Sequence, residues 1–222
     1  ANLLALTDLV RLGMVANLED FVLETHSGML AQGRQLDYNG QPAGYAKEPA
    51  DIINYVAKHD NQTLWDNNQY KIATGTSTGH RVRMQLLALA VPLMSQGIPF
   101  VHMGSEILRS KSMQRDSFDS GDWFNKVDFS YMNNNWNVGL PSEDKDGDNW
   151  AVIAEIIDDN HATPAPSDIV FAKNVFLDFL AIRSASKLFR LATGEDIKAR
   201  IDFQNTGPQQ VPGVIAMTID DG

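Results

Sequence analysis

Apolar positions recur at helical spacing over residues 2–21, where Leu6, Val10, Met14, Leu18 and Phe21 would share one face. The pattern then lapses into glycines and polar residues over 27–44, a long loop of the kind that often serves function. IINYVAK at 52–58 is rich in β-branched and aromatic residues and predicts a buried strand; the polar string HDNQTLWDNN follows at once. Helical spacing returns over 80–96, with Val82, Leu86, Leu89, Leu93 and Met94 as the apolar stripe. Ser77 or Thr78 can cap that helix, Gly97 can end it and Pro92 should kink it. IPFVHM at 98–103 predicts a second buried strand, closed by Gly104 and Ser105. Residues 108–149 are a polar, aromatic-studded excursion with little periodicity. A strong helix is predicted over 167–188, with Ile169, Phe171, Val175, Phe176, Phe179, Leu180 and Ile182 as core candidates. Beyond Ile197 the period shortens: RIDFQ and GVIAMTID alternate around TGPQQVPG, which predicts antiparallel strands and a domain boundary near 193–198.

Strands alternating with helices imply βαβ units and a parallel sheet. Two strands cannot close such a sheet, so this pattern predicts part of a larger barrel and self-association through its open edges. With 222 residues, 43% hydrophobic and 21% charged, the chain has enough material for a real core. Its formal net charge of −10 argues against nucleic acid or an anionic membrane as partner, since both attract clustered Lys and Arg. A neutral sugar is untouched by that argument. The absence of cysteine excludes disulfides, thiolate metal sites and a Cys nucleophile. No apolar run approaches the roughly 18 residues of a membrane span. The opening ANLLALTDLVRLG lacks the basic start and cleavage site of a signal peptide, and the compartment stays open.

The sharpest chemical signal is His59-Asp60-Asn61 directly after a strand, because functional residues of parallel α/β folds sit at the carboxy ends of strands. By spacing alone a capped turn is the stronger reading of the three residues. The wider string EPADIINYVAKHDNQTLWD, however, resembles the fourth conserved region of pullulanase-type enzymes of the α-amylase superfamily. So do LDYNGQPAGYA upstream, the stretch GIPFVHMGSEILRSKSMQRDSFDSGDWFNKVDFSYMNNNWNVGLP, and EDKDGDNW. PAPSDIVFAKNVFLDFLAIRSASKLFRL and FQNTGPQQVPGVIAMTIDDG extend the likeness over nearly the whole chain.

That resemblance implies an α/β fold. Residues 1–195 would be the carboxy-terminal portion of a TIM-type (β/α)8 barrel, with strands 7 and 8 and their helices. Residues 196–222 would be the first strands of an all-β domain. It implies a glycoside hydrolase that cleaves α-1,6 bonds in pullulan, starch or glycogen dextrins with retention, and an α-glucan as ligand. Asp60 matches the family's third catalytic carboxylate, a transition-state stabiliser, and His59 the histidine that binds the same glucose. Asn61 matches the debranching pattern. Arg115 and Asp116 match positions that bind the next glucose unit, and Trp123, Phe124 and Asn125 would line the cleft. For Trp123 and Phe124, core packing of a long loop is an equal alternative. Retaining glycosidases need a nucleophile and an acid/base. The family carries these in strings like GFRFD and GEGW, neither of which occurs here, so this chain alone is expected to be inactive. The same gap motivates a rival reading, a non-catalytic carbohydrate-binding or assembly module derived from the barrel.

Asp144, Asp146, Asp148 and Glu155 fall at positions 1, 3, 5 and 12 of a calcium-loop spacing, but Asn149 replaces the glycine expected at position 6. A solvated acidic turn is the stronger reading. The family often carries structural calcium, so calcium remains a candidate without assigned ligands; the chemistry needs no cofactor. His26, His80, His102 and His161 show no metal-ligand spacing, and Glu106 reads as structural.

Overall fold

The computed structural model describes residues 3–222. Asn2, where the first helix was expected to begin, and Ala1, whose status as a start or a cut the sequence leaves open, lie outside the described residues. Among the described residues, sixteen α-helices and strands follow in chain order: α1 (Leu3–Met14), β1 (Val22–Glu24), β2 (Leu30–Gln32), β3 (Asp37–Tyr38), β4 (Gln41–Pro42) and β5 (Ile53–Asn54); then α2 (Leu64–Gln69), α3 (Thr78–Met94), β6 (Ile98–Pro99), α4 (Asp122–Asn125) and α5 (Glu143–Asp146); then α6 (Trp150–Asp158), α7 (Pro166–Ala185), α8 (Gly194–Arg200), β7 (Ile201–Gln204) and β8 (Ala216–Ile219). The α/β class expected from the pattern is present, and β5 pairs with β6 in parallel, Ile53 opposite Ile98.

The chain divides into two compact units. Among the described residues, one comprises 3–54, Val91–Phe100 and Ile182–Gly222; the other comprises Tyr55–Ala90 and Val101–Ala181. In the first, Leu12, Val15, Leu18, Phe21 and Leu23 pack with Ile197, Ile201 and Phe203 in one core. The stretch at 193–198, where the sequence marks a change of period, lies within this unit and opens α8 under the cap of Thr193, whose hydroxyl accepts from the Asp196 N–H. The expected antiparallel strands are β7 and β8, in register from Ile201–Ile219 to Gln204–Ala216.

Two expectations for this unit need correction. The helix predicted to Phe21 stops at Met14, because Ala16 and Asn17 turn left-handed (φ 58° and 49°). Leu18 and Phe21 are buried from an irregular segment, so burial there imitates a helical period. The predicted strands at 52–58 and 98–103 shrink to two residues each, and Ile53 and Ile98 are exposed rather than buried. A ladder forms only where a partner runs alongside, and here each strand has one. Arg183, itself buried, donates Nη1 to the Leu93 and Ser95 carbonyls at 2.8 Å each and Nη2 to Gly97 O at 3.1 Å. It thereby caps the carboxy end of α3 with a cation, where the helix dipole favours one. We expect Arg183→Leu to lower stability by about 1–3 kcal/mol through the orphaned carbonyls, read as a lower urea midpoint.

The second unit is built around Trp65, Val82, Leu86, Ile107, Leu108, Ile169 and Ala172. The stripe predicted for α3 is buried here at Val82 and Leu86. On α7, Ile169 and Phe176 are buried as expected, but Phe171 and Leu180 stand exposed. That helix is apolar around most of its circumference, so period alone did not choose its face. The 108–149 excursion is largely irregular as predicted; α6 was missed because its start, DNW, reads as part of the polar loop. No helix among the described residues is long and apolar enough to cross a membrane.

Candidate functional site

Thr63 organises the His59–Asn61 segment. Its hydroxyl accepts the Asp66 N–H at 3.2 Å and starts α2, while Asn61 just before it is left-handed (φ 61°), a conformation that Asn tolerates better than most residues. The turn leaves Asp60 exposed. Its carboxylate takes a hydrogen bond from the Lys58 ammonium and lies 3.3 Å from His59 Nε2. Those contacts, the Lys58 bond foremost, hold the Asp60 pKa below the usual carboxylate range, so the group is a fixed negative charge at neutral pH.

Across from it, Arg115 donates Nε to Asn61 Oδ1 at 3.2 Å. Asp60, Asn61, Arg115, Asp116 and Lys145 line one cleft of about 390 Å³. Asp60 and Asn61 also border a second cleft of about 360 Å³, walled by Tyr55, Val56 and Leu64. Asp60 therefore stands on the ridge between two open spaces. Four of the expected site residues thus meet in one cleft, and His59 adjoins them through Asp60.

The aromatic pair divides. Phe124 is buried and packs its ring 5.8 Å from that of Trp123, which is 58% exposed. Trp123 lies over Gly121 (φ 103°), where an added Cβ would meet the indole at 2.6 Å; only glycine fits. Asn125 is committed within its own loop. Its amide donates to the Ser117 carbonyl at 2.7 Å and accepts the Ser117 hydroxyl at 2.8 Å. Of these three, Trp123 and Asn125 are exposed, but the Asn125 amide is already engaged by Ser117, which leaves the Trp123 face as the uncommitted surface.

Three buried groups hold the Arg115 loop, a role that the sequence assigned to none of them. Asp66 accepts the Ser110 hydroxyl at 2.5 Å and the Lys111 N–H at 2.7 Å. Burial pushes its pKa up to about 6 despite these bonds and those from Thr63 and Met113. Lys111, also buried, reaches the carbonyls of both His59 and Arg115. Asp146 is buried and accepts the Arg115 N–H at 2.9 Å. The loop they bind carries three left-handed non-glycine residues, Leu108, Ser112 and Met113, a strain that persists only where surrounding contacts over-determine it. A Thr-x-x-Asp spacing at 63–66 was the one sequence signal for Asp66; Lys111 had none.

The calcium reading does not fit residues 144–155. They run through α5, a single 3₁₀ turn and α6, and the Asp146 carboxylate is taken by Arg115. Among the described residues no three His, Asp or Glu side chains gather as a metal site requires. His102 is half-buried beside Arg109, whose Nη1 lies 3.3 Å from its Nε2. Burial, then that cation, pulls its pKa down to about 4, so it serves as a neutral acceptor. Glu106 accepts the Gly104 N–H, a structural role.

A family model described as alpha-1,6-glucosidases, pullulanase-type, C-terminal, matches residues 131–222. Pullulanase of Klebsiella aerogenes is 49% identical over 217 residues, covering 98% of this chain and 20% of that protein. The chain belongs to the pullulanase-type family. Chloroplastic pullulanase 1 of Arabidopsis thaliana is 47% identical over 214 residues, 96% of this chain and 22% of its own length. The crystal structure of apo pullulanase from Klebsiella pneumoniae superposes with a TM-score of 0.95 at 48% identity, covering 99% of this chain and 24% of that one. A structure of the same protein complexed with maltotriose gives a TM-score of 0.95 at 48% identity, over 99% of this chain and 21% of that one. The chain spans about one fifth of the length of these pullulanases.

Proposed function

We propose that the longer protein carrying this segment hydrolyses α-1,6-glucosidic bonds in pullulan, starch or glycogen dextrins, with retention of configuration. The observation that carries the reading is the single cleft shared by Asp60, Asn61, Arg115 and Asp116. In it, Asp60 holds the hydroxyls of the reacting glucose as the ring moves toward an oxocarbenium ion, where charge-assisted hydrogen bonds tighten. His59 donates to the same unit, and Arg115 with Asp116 holds the neighbouring one. The exposed Trp123 face offers a surface for the apolar side of a sugar ring. The maltotriose complex of the Klebsiella pneumoniae protein supports an α-glucan as ligand.

In this reading residues 1–195 complete a (β/α)8 barrel, β5 and β6 being its seventh and eighth strands, and residues 196–222 open the β domain. The nucleophile and acid/base come from chain outside these 222 residues, and the segment alone is inactive. Retention requires those two carboxylates about 5 Å apart, and no cofactor enters the chemistry. The decisive assay is pullulan digestion by the full-length protein. Maltotriose is the expected product; products of α-1,4 cleavage alone, or none, defeat the proposal.

A further inference from the structure

We propose that Lys111 is a positioning residue: its buried ammonium ties the His59 and Arg115 loops together and fixes the width of the cleft between them. The inference rests on reading that cleft as the sugar site. Lys111 is 2% exposed. Its Nζ lies 3.3 Å from Arg115 O and 3.5 Å from His59 O, carbonyls of the two segments that supply Asp60, Asn61, Arg115 and Asp116 to the cleft. The loop itself needs no ammonium for anchorage, because Asp66 already takes the Lys111 backbone N–H and the Ser110 hydroxyl.

A charge in this place is unfavourable for stability. Burial, and then nearby Arg109, lower the Lys111 pKa, opposed by Asp66, Asp116 and Asp60. A methionine would fill the same space without desolvating a cation. What methionine cannot do is attract both the His59 and the Arg115 carbonyl. An ammonium does so from one point, with three donors on a long stem. Asp60 and Asn61 follow His59, and Asp116 follows Arg115, so the tie acts within two residues of each sugar-facing group. Lys111 touches no substrate in this arrangement and works through the two main-chain segments.

Lys111→Met and Lys111→Arg, made in the full chain, test it by amide hydrogen exchange together with the thermal midpoint. Lys111→Met is expected to speed exchange at residues 59–61 and 115–116 tenfold or more, while the midpoint stays the same or rises. Lys111→Arg, which keeps the charge and donors, should fall between it and the parent. Unchanged exchange in both segments overturns the proposal. So does global loss of protection in Lys111→Met, unless Lys111→Arg remains folded and loosens those two segments selectively. Maltotriose titration of the full-length protein forms a separate arm, in which Lys111→Met should weaken binding at least tenfold. Loosened segments with undiminished sugar affinity overturn the claim that the tie serves the cleft. Failure of the unaltered full-length protein to bind maltotriose defeats the sugar reading, and the exchange result then stands on its own as evidence for or against the tie.

Discussion

Asp60→Asn in the full-length protein is expected to lower kcat on pullulan on the order of 10²–10³-fold, the usual cost of removing one preorganised electrostatic stabiliser. The substitution keeps size and hydrogen-bonding reach and removes the negative charge. That charge is exposed and held below the ordinary carboxylate pKa, first by its bond to Lys58. An asparagine can still accept from a donor, so ground-state binding should suffer less than turnover, and KM should change by a much smaller factor. Since Asp60 is ionised from mildly acid pH upward, the defect should persist across the neutral range. Steady-state pullulan kinetics at several pH values check this. Loss confined to KM would place Asp60 in binding alone.

Asp66→Ala carries the largest expected stability cost, about 3–5 kcal/mol, because it leaves buried partners without their anion. The Ser110 hydroxyl, the Lys111 N–H and the Lys111 ammonium all lose a counterpart in a loop that already holds left-handed Ser112 and Met113. Equilibrium unfolding in urea measures it. Asp66 also gives a pH signature. Its folded pKa, about 6, is raised above the ordinary 3.8, so the folded state binds the proton more tightly than the unfolded chain does. The contribution of this group to stability is therefore fully present below the unfolded pKa. It is lost as pH rises through the folded one, by roughly 3 kcal/mol in total. Asp66→Asn, which cannot ionise, should show no such slope between pH 4 and 7. A parent protein whose stability lacks that component over the same range would contradict the burial argument.

The candidate site was legible in the sequence to the extent that its groups lie in short local strings. His59, Asp60 and Asn61 are consecutive, as are Arg115 and Asp116, and their neighbours resemble one enzyme family over nearly the full chain. The residues that hold those strings in place were not legible. Asp66 meets Ser110 across 44 positions and Lys111 meets His59 across 52. Nothing in composition or period links residues so far apart. Asp146 was visible, but as one of four acidic residues at calcium-loop spacing; its partner, the Arg115 N–H, lies 31 positions away.

For the fold, period was reliable where a segment's conformation depends on itself. Helix α3 and the β7–β8 hairpin formed close to where their patterns put them, since helical bonds and hairpin pairing are local. Period failed where a partner decides. Only the tertiary structure could end α1 at Met14, limit β5 and β6 to the residues that run side by side, bury Phe124 while exposing Trp123, and commit the Asn125 amide to Ser117. The chain's own spacing thus determined which segments can be helix or strand and which short strings carry charge and hydroxyl-binding groups. The approach of distant segments determined which of those groups face a common cleft, because burial and hydrogen-bond satisfaction depend on whatever surface arrives opposite.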